Sequence, residues 1–223
     1  MPTARYDGHT EWYEGYTSAD VFPNLRGFAV ELLGQGPGDC VDLGCGTGRA
    51  IPPLVRAGWA VVGTDISIDQ LEAAQGEAGA GVRLVHADAH ALPFDDGTFD
   101  AVVSILTHTD FDDPQTAFRE AGRVLKSGGT FVYLGVHPCF GSPFVERREN
   151  DTALLHPGYR TIGWQRRAPG VSSAGVRAQV GINHVPLAGF FNTIISSGFT
   201  ITRVEEPGDA DPPIFLAVKS TKP

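Results

Sequence analysis

Two aspartates and a glycine turn hold the first chemistry legible in this chain. The turn reads VDLGCGTG over residues 41–48, with Asp42 before its first glycine and Asp65 23 residues further on. Glycines at such a turn let the backbone pass close to a ligand where a Cβ would block it. Amides at a helix start offer hydrogen bonds to a polar or anionic group. The pattern G-x-G-x-G is denser than the dinucleotide fingerprint and lacks its later glycine, since Ala50 follows Arg49. It has no Gly-Lys-Ser/Thr ending, so it is not a triphosphate loop. A carboxylate at Asp42 would repel a pyrophosphate and suits a ligand that carries an ammonium. Asp65 closes an apolar run, where a carboxylate can hold both hydroxyls of a ribose. The competing reading makes it a helix cap, a role open to Ser67 and Asp69 as well.

Further candidates are scattered. His86, Asp88 and His90 alternate, so on a strand they could share a face and bind a metal; the alternative is a strand end with no metal. Cys40 reads as core and Cys45 as a loop residue. His108 and His137 each follow a strand, where a histidine could act as general base near neutral pH or simply pack or cap. His184 has a weaker claim to the same role. Arg147–Arg148 and Arg166–Arg167 could bind an acidic group, or be solvated.

The elements that would position these residues alternate. A helix is predicted over 21–33 from Leu25, Phe28, Ala29, Leu32 and Leu33. Short strands follow at CVDL (40–43), AVVGT (60–64), VRLVHA (82–87), DAVVSIL (100–106) and GTFVYLG (129–135). Helix-length segments separate them. Ser67 and Gln70 have capping-box spacing, and Asp113–Pro114 open another helix. This rhythm predicts βαβ units and a parallel sheet. Residues 137–186, rich in proline and arginine, read as a long irregular segment, and Phe140, Phe144, Tyr159 and Trp164 suggest an apolar cover. FTITRV (199–204) and PIFLAVK (213–219) close the chain as a hairpin at a sheet edge.

VDLGCGTGRA, GTDIS, HADAHALPFDDGTFDAVVS and EAGRVLKSGGTFVYLG, in that order, resemble the Rossmann-like class of S-adenosylmethionine-dependent methyltransferases. The resemblance covers about residues 20–136, and the closing strand pair looks like that fold's last two. It implies an α/β three-layer sandwich on a mostly parallel seven-stranded sheet with an antiparallel edge strand. It implies a single domain over 1–223, with an N-terminal helical lid (1–34) and a substrate-covering insertion (137–189). S-adenosyl-L-methionine would be the cofactor and S-adenosyl-L-homocysteine its product, with no metal. Asp42, Gly44, Cys45, Gly46 and Thr47 would line its methionine end and Asp65 its ribose. Ile66, Asp88 and Ala89 would meet the adenine, and Ser104 would lie over the methionine part. A tyrosine among Tyr6, Tyr13 and Tyr16 would cover it, with Tyr13 and Tyr16 the choices carried forward. His108 and His137 are the candidate catalytic residues. The activity implied is methyl transfer to a small organic acceptor at oxygen or nitrogen, in specialised metabolism. The alternative is a fold member that binds the cofactor and catalyses a non-methylating reaction such as cyclisation.

Composition sets the outer bounds. The 223 residues carry 17 basic and 26 acidic side chains, a net charge of −9, which repels phosphate backbones and argues against nucleic acid. Three cysteines give no disulfide framework and fit a reducing cytoplasm. No apolar run approaches the ~20 residues of a membrane span, and the polar N-terminus does not read as a signal peptide. A monomer or homodimer is expected. Glycine and proline supply 28 and 16 residues; they fall mostly at element ends and in 137–186, so they punctuate a fold.

Overall fold

A computed structural model describes residues 4–17, 21–79, 81–148, 152–173 and 175–223. In chain order the elements are α1 (Thr10–Thr17), α2 (Val21–Leu33), β1 (Gly38–Leu43), α3 (Ile51–Arg56), β2 (Trp59–Asp65), α4 (Ile68–Glu77), β3 (Arg83–His86), β4 (Phe99–Ile105), α5 (Pro114–Val124) and β5 (Leu125–Val136). They continue with β6 (Val145–Arg147), β7 (Ala153–Leu155), β8 (Gly163–Gln165), α6 (Val176–Val180), β9 (Ile182–His184), α7 (Leu187–Ser196), β10 (Thr200–Glu205) and β11 (Phe215–Thr221).

Seven strands form one sheet in the order β10-β11-β5-β4-β1-β2-β3. β3, β2, β1, β4 and β5 pair in parallel. β11 runs antiparallel to both β5 and β10, so the reversed strand lies one in from the edge. β1 sits between β2 and β4, and there the strand order reverses. In open α/β sheets the crevice at the carboxyl ends of such a pair is where ligands bind.

The central strands are apolar on both faces because helices cover both. Successive side chains alternate sides. Cys40, Ala101, Val103, Val132 and Leu134 pack on Leu25, Ala29, Ile51, Leu54 and Leu71 of α2, α3 and α4. Val41, Leu43, Val102, Phe131 and Tyr133 pack on Ala117, Phe118, Ala121, Phe190 and Ile194 of α5 and α7. Caps fix two helices against the rim. Ser67 Oγ accepts from Gln70 N at 3.2 Å to start α4. Asp113 Oδ1 accepts from Gln115 N and Thr116 N to start α5, with Pro114 as its first residue.

Residues 137–186 are more ordered than their composition suggests. β6 pairs with β7 and β8 with β9 as two antiparallel ribbons. Strands of three residues leave no readable period. This segment packs on the loop after β4: Asn183 N donates to Thr109 O at 2.7 Å and Asn183 Nδ2 to Phe111 O at 2.7 Å. Among the described residues no helix is long and apolar enough to cross a membrane.

Candidate functional site

The floor of the site is the turn between β1 and α3. Gly44 N and Cys45 N both donate to Thr64 O at 2.8 Å, which ties the turn to β2. Gly46 N donates to Asp65 Oδ2 at 2.8 Å and Ser67 N to Asp65 Oδ1 at 2.9 Å. Asp65 therefore does cap the chain entering α4, and it faces the cleft as well. Burial raises its pKa, opposed by the Ser67 and Gly46 amides. Gly44 has φ 74°, and a Cβ on it would meet Thr107 Cγ2 at 2.7 Å. Gly46 has φ 54°, and its open side faces the Tyr13 ring from 3.9 Å. Both positions reject a side chain, the first through backbone shape and crowding.

Two connected hollows lie over this floor. The larger, about 820 Å³, is lined by Gly44, Gly46, Asp65, Ile66, Asp88 and Ala89 with Leu43, Thr64, Gln70, Thr107 and Phe111. The smaller, about 360 Å³, is lined by Asp42, Cys45, Thr47, Arg49, Ala50 and Arg26. They share Tyr13, Gly44, Ile105 and Leu106. The period of two along β1 puts Asp42 on the same side as Cys40, toward α2 and its Arg26. Asp42 is almost fully buried and its Oδ2 has no hydrogen-bond partner. Burial, then the nearby Asp65 charge, pushes its pKa up to about 7 against the pull of Arg26. Burial likewise lowers the pKa of Arg26, opposed by Tyr13 and Asp42. A buried carboxyl with one oxygen unpartnered, in a hollow shared with a half-buried guanidinium, fits a zwitterion, ammonium to Asp42 and carboxylate to Arg26. Arg26 carries no signal in sequence, where it looks like a polar residue beside a helix's apolar stripe.

Asp88 and His90 form one unit at the far wall. Asp88 Oδ1 accepts from His90 N at 2.9 Å and pairs with His90 Nδ1 at 2.6 Å. His90 Nε2 accepts from Asp113 N at 3.1 Å. Accepting there puts the ring proton on Nδ1, aimed at Asp88. His86 turns away, its Nε2 on Ile66 O at 2.9 Å. The three do not converge.

The roof is the N-terminal segment. Arg5, Tyr6 and Tyr13 line the larger hollow. Tyr6 and Tyr13 meet edge to face at 5.2 Å, and burial raises both hydroxyl pKa values, that of Tyr13 to about 12. Gly8 N donates to Asp69 Oδ2 at 2.6 Å and Ser67 Oγ to Asp7 Oδ1 at 2.6 Å, which fastens the roof to α4. Arg5 bonds Asp112 Oδ1 at 2.6 Å and stacks over Trp164 at 3.7 Å. The side chain of Tyr16 lies outside the described residues.

The loop after β4 makes the remaining wall. Leu106 takes φ 63°, a left-handed conformation costly for a branched side chain, and so exposes itself to both hollows. Asp110 lines the larger one and is ion-paired with Arg177 of α6. Tyr6 Oη donates to Asp110 Oδ1 at 3.1 Å. Asp110, Arg177, Leu106 and Thr107 escaped the sequence reading. Asp110 and Arg177 are 67 residues apart and meet only in the fold.

Three expected residues are placed elsewhere. Ser104 shares the face of Val102, is fully buried, and bonds Thr107 Oγ1, so Thr107 stands at the hollow in its stead. His108 is buried against Tyr133 and Phe190, with its Nδ1 bonded to the Tyr133 hydroxyl. Burial, then the Arg177 and His184 charges, lowers its pKa to about 3. His137 accepts from Cys139 N at 3.0 Å through Nδ1 and pairs with Glu206 through Nε2 at 3.0 Å. It orders a turn, and both nitrogens are in use. Burial lowers its pKa, opposed by Glu206. His184 donates from Nε2 to Tyr159 O at 2.7 Å. Neither His108 nor His137 lines either hollow, and nor do Phe140, Phe144, Tyr159 or Trp164. Among the described residues, the 137–186 segment reaches the larger hollow through its lining, with Trp164 Nε1 donating to Asp112 Oδ1 at 3.0 Å and its ring under Arg5.

Comparison with known proteins agrees with this arrangement. Residues 41–133 match the family described as methyltransferase domain. The chain is 36% identical over 121 residues to demethylmenaquinone methyltransferase of Renibacterium salmoninarum, across 53% of this chain and 50% of that one. It is 42% identical over 116 residues to the enzyme of the same description from Thermus thermophilus, across 49% and 53%. The chain thus spans about half the length of the curated relatives it matches. In three dimensions it superposes on an S-adenosylmethionine-dependent methyltransferase from Mesorhizobium loti with TM-score 0.73 and 27% identity, covering 93% of this chain and all of that one.

Proposed function

Because this chain carries a methyltransferase domain on the Rossmann-like fold of the S-adenosylmethionine-dependent enzymes, we propose that it methylates a small organic acceptor at oxygen or nitrogen. The observation that carries this reading is a pair of adjoining hollows that share Tyr13, Gly44, Ile105 and Leu106, with Asp65 in one and Asp42 and Arg26 in the other. That spacing of charges suits a molecule with a ribose and an amino-acid tail. S-adenosylmethionine, when bound, supplies a methyl group on a sulfonium, a reactive donor with a neutral leaving group.

The chain's own part is alignment and exclusion of water. Asp65, fixed by two amides, presents acceptor oxygens to ribose hydroxyls. Asp88 and Ala89, with Ile66, take the adenine side. Asp42 and Arg26 hold the tail and fix its rotation. Tyr6 and Tyr13 close the roof, and we assign residues 1–34 to that lid. Residues 137–189 act as a brace for the wall. The cleft is a closed-roofed pocket for a small acceptor, in a chain of net charge −9, which disfavours nucleic acid as substrate. Specialised metabolism and a cytoplasmic setting complete the reading, the latter supported by three unpaired cysteines.

Calorimetry with S-adenosylmethionine and S-adenosylhomocysteine, followed by mass spectrometry on a panel of small acceptors, tests the proposal. Micromolar binding of both and a mass gain of one methyl on an acceptor are expected. Absence of binding by either would sink it. Binding with no methyl consumed on any productive turnover would favour a non-methylating reaction such as cyclisation.

A further inference from the structure

We propose that Asp110 is the catalytic group that takes the acceptor's proton, and that the acceptor is a neutral hydroxyl compound of phenol or enol type. This rests on the methyl-transfer reading above and narrows it.

Asp110 stands five residues past the end of β4, on the cleft wall. Its Oδ1 is fully engaged, accepting from Tyr6 Oη at 3.1 Å and from Arg177 Nη1. Arg177 is held in turn, donating to Thr109 Oγ1 at 2.7 Å and to Gly181 O at 3.3 Å. Oδ2 accepts no hydrogen bond among the described residues, and it is not among the buried atoms left without a partner. The side chain is 20% exposed, and the cleft is what it faces. One oxygen of this carboxylate is thus clamped from two directions, and the other is offered to the hollow. Of the two histidines that sequence nominates as bases, His137 has both ring nitrogens committed, to Glu206 and Cys139, and His108 is buried with Nδ1 on Tyr133; neither lines the hollow.

The charges of the hollow select the acceptor. Asp65 and Asp88 are taken up by the cofactor in the reading above and Asp112 is paired with Arg5, which leaves Asp110 Oδ2 as the charge that meets an acceptor. An anionic acceptor is repelled. An aliphatic amine beside this carboxylate is held as its ammonium, which has no lone pair to give, and an aniline, though neutral, delocalises its lone pair into the ring and gains nothing from a base before it attacks. A neutral hydroxyl keeps its lone pairs and can place its proton on Oδ2. Tyr6, Tyr13 and Phe111 add the apolar walls that suit a ring.

In the transfer, the acceptor O–H bond breaks and its proton goes to Asp110 Oδ2. A lone pair of the acceptor oxygen forms the new bond to the methyl carbon. The methyl–sulfur bond breaks and its electron pair stays on sulfur, leaving a neutral thioether. The proton then passes from Asp110 to solvent at the cleft mouth. Tyr6 is a positioning residue here, setting the carboxylate's rotation.

The test compares the full chain with Asp110→Asn and Tyr6→Phe on 4-methylphenol, 4-acetylphenol and 4-nitrophenol, and on the matching anilines. S-adenosylhomocysteine binding is measured for each by calorimetry. The expected pattern is methylation of the phenols and not the anilines, and homocysteine-product binding in Asp110→Asn within about twofold of the parent. Loss of a general base costs about 10²–10⁴-fold, so kcat on 4-methylphenol should fall by at least about 100-fold in Asp110→Asn. On the far more acidic 4-nitrophenol, assayed below pH 7 so that it enters mostly as the neutral phenol, it should fall by less than about tenfold, because that proton is readily lost to solvent without a base. Tyr6→Phe should lower all three phenols alike and keep the parent's weak dependence on phenol acidity. An equal loss across the phenols in Asp110→Asn would overturn the base role. A parent that binds S-adenosylhomocysteine yet methylates anilines and no phenol would overturn the acceptor class. A parent that binds no S-adenosylhomocysteine would fail the methyl-transfer reading itself, a result distinct from both.

Discussion

The Gly46 amide donates to Asp65 Oδ2 at 2.8 Å, so the turn after β1 and the end of β2 are one rigid piece. The second oxygen of the same carboxylate accepts from Ser67 N at 2.9 Å. Asp65 is therefore both an acid on the wall of the hollow and the pin that shapes the turn. Replacing it with Asn puts an NH2 against one of two N–H donors, so Asn should serve no better than Ala. Both variants should lose S-adenosylhomocysteine affinity by at least about 100-fold, as expected when a buried charged acceptor of two hydrogen bonds is removed. Calorimetry decides this. An Asn variant that binds within threefold of the parent would show that the charge and both acceptor atoms are dispensable.

Asp42 should couple binding to proton release. Its pKa lies near 7 because burial and Asp65 disfavour its charge. A cationic group bound beside it favours the ionised form. Below pH 7 a proton must therefore leave Asp42 on binding, and affinity should fall toward a limit of about tenfold per pH unit as pH drops. Calorimetry at pH 6 in two buffers of different ionisation enthalpy should reveal the released proton, and Asp42→Asn should abolish it. Equal enthalpies in the two buffers would refute the coupling.

Arg26 should matter only to ligands with an amino-acid tail. It lines the smaller hollow with Asp42, away from Asp65 and Asp88. Arg26→Ala should weaken S-adenosylhomocysteine by about 10–100-fold, the size of a charge-assisted hydrogen-bonded contact. 5′-Methylthioadenosine, which lacks the tail, should bind the variant and the parent alike. Equal weakening of both ligands would mean that Arg26 supports the fold of the turn and not the tail.

How legible these residues are in sequence follows from how local their work is. The glycine turn and Asp65 stand within a few residues of a strand end, so spacing places them at the cleft, and Asp88 and Ala89, found there through the family resemblance, line it too. The strands β1, β2, β4 and β5 are apolar on both faces, and their runs stand out for that reason. Ser104 and His108 carry the right types near the right edge, yet strand parity and the turn at Leu106 send them into the layer of α5 and α7. Arg26, Asp110 and Arg177 depend on contacts across helices and insertions, which no local pattern encodes. The ribbons of 137–186 are too short to have a period, so the segment shows in sequence only through its prolines, arginines and aromatics.

His108 should act on stability and not as a free base. Its pKa is lowered from 6.5 to about 3, first by burial and then by the Arg177 and His184 charges. Between those values the unfolded chain binds a proton that the folded chain refuses. This contribution is complete above pH 6.5 and is lost as pH falls toward 3, with a limiting slope of about 1.4 kcal/mol per unit. Asp42 works in the opposite sense, since its raised pKa stabilises the fold at low pH and is lost as pH rises from 3.8 through about 7. The two windows overlap and act in opposite senses, so the parent's pH profile isolates neither group. The measurement is thus a difference. His108→Gln can still bond the Tyr133 hydroxyl but does not titrate. In urea denaturation it should be less stable than the parent at pH 7, through lost ring packing on Tyr133 and Phe190. That gap should close by roughly 1–2 kcal/mol between pH 7 and pH 5. A gap that stays constant would show that His108 takes up its proton inside the folded protein, and would return it to the list of groups able to exchange one.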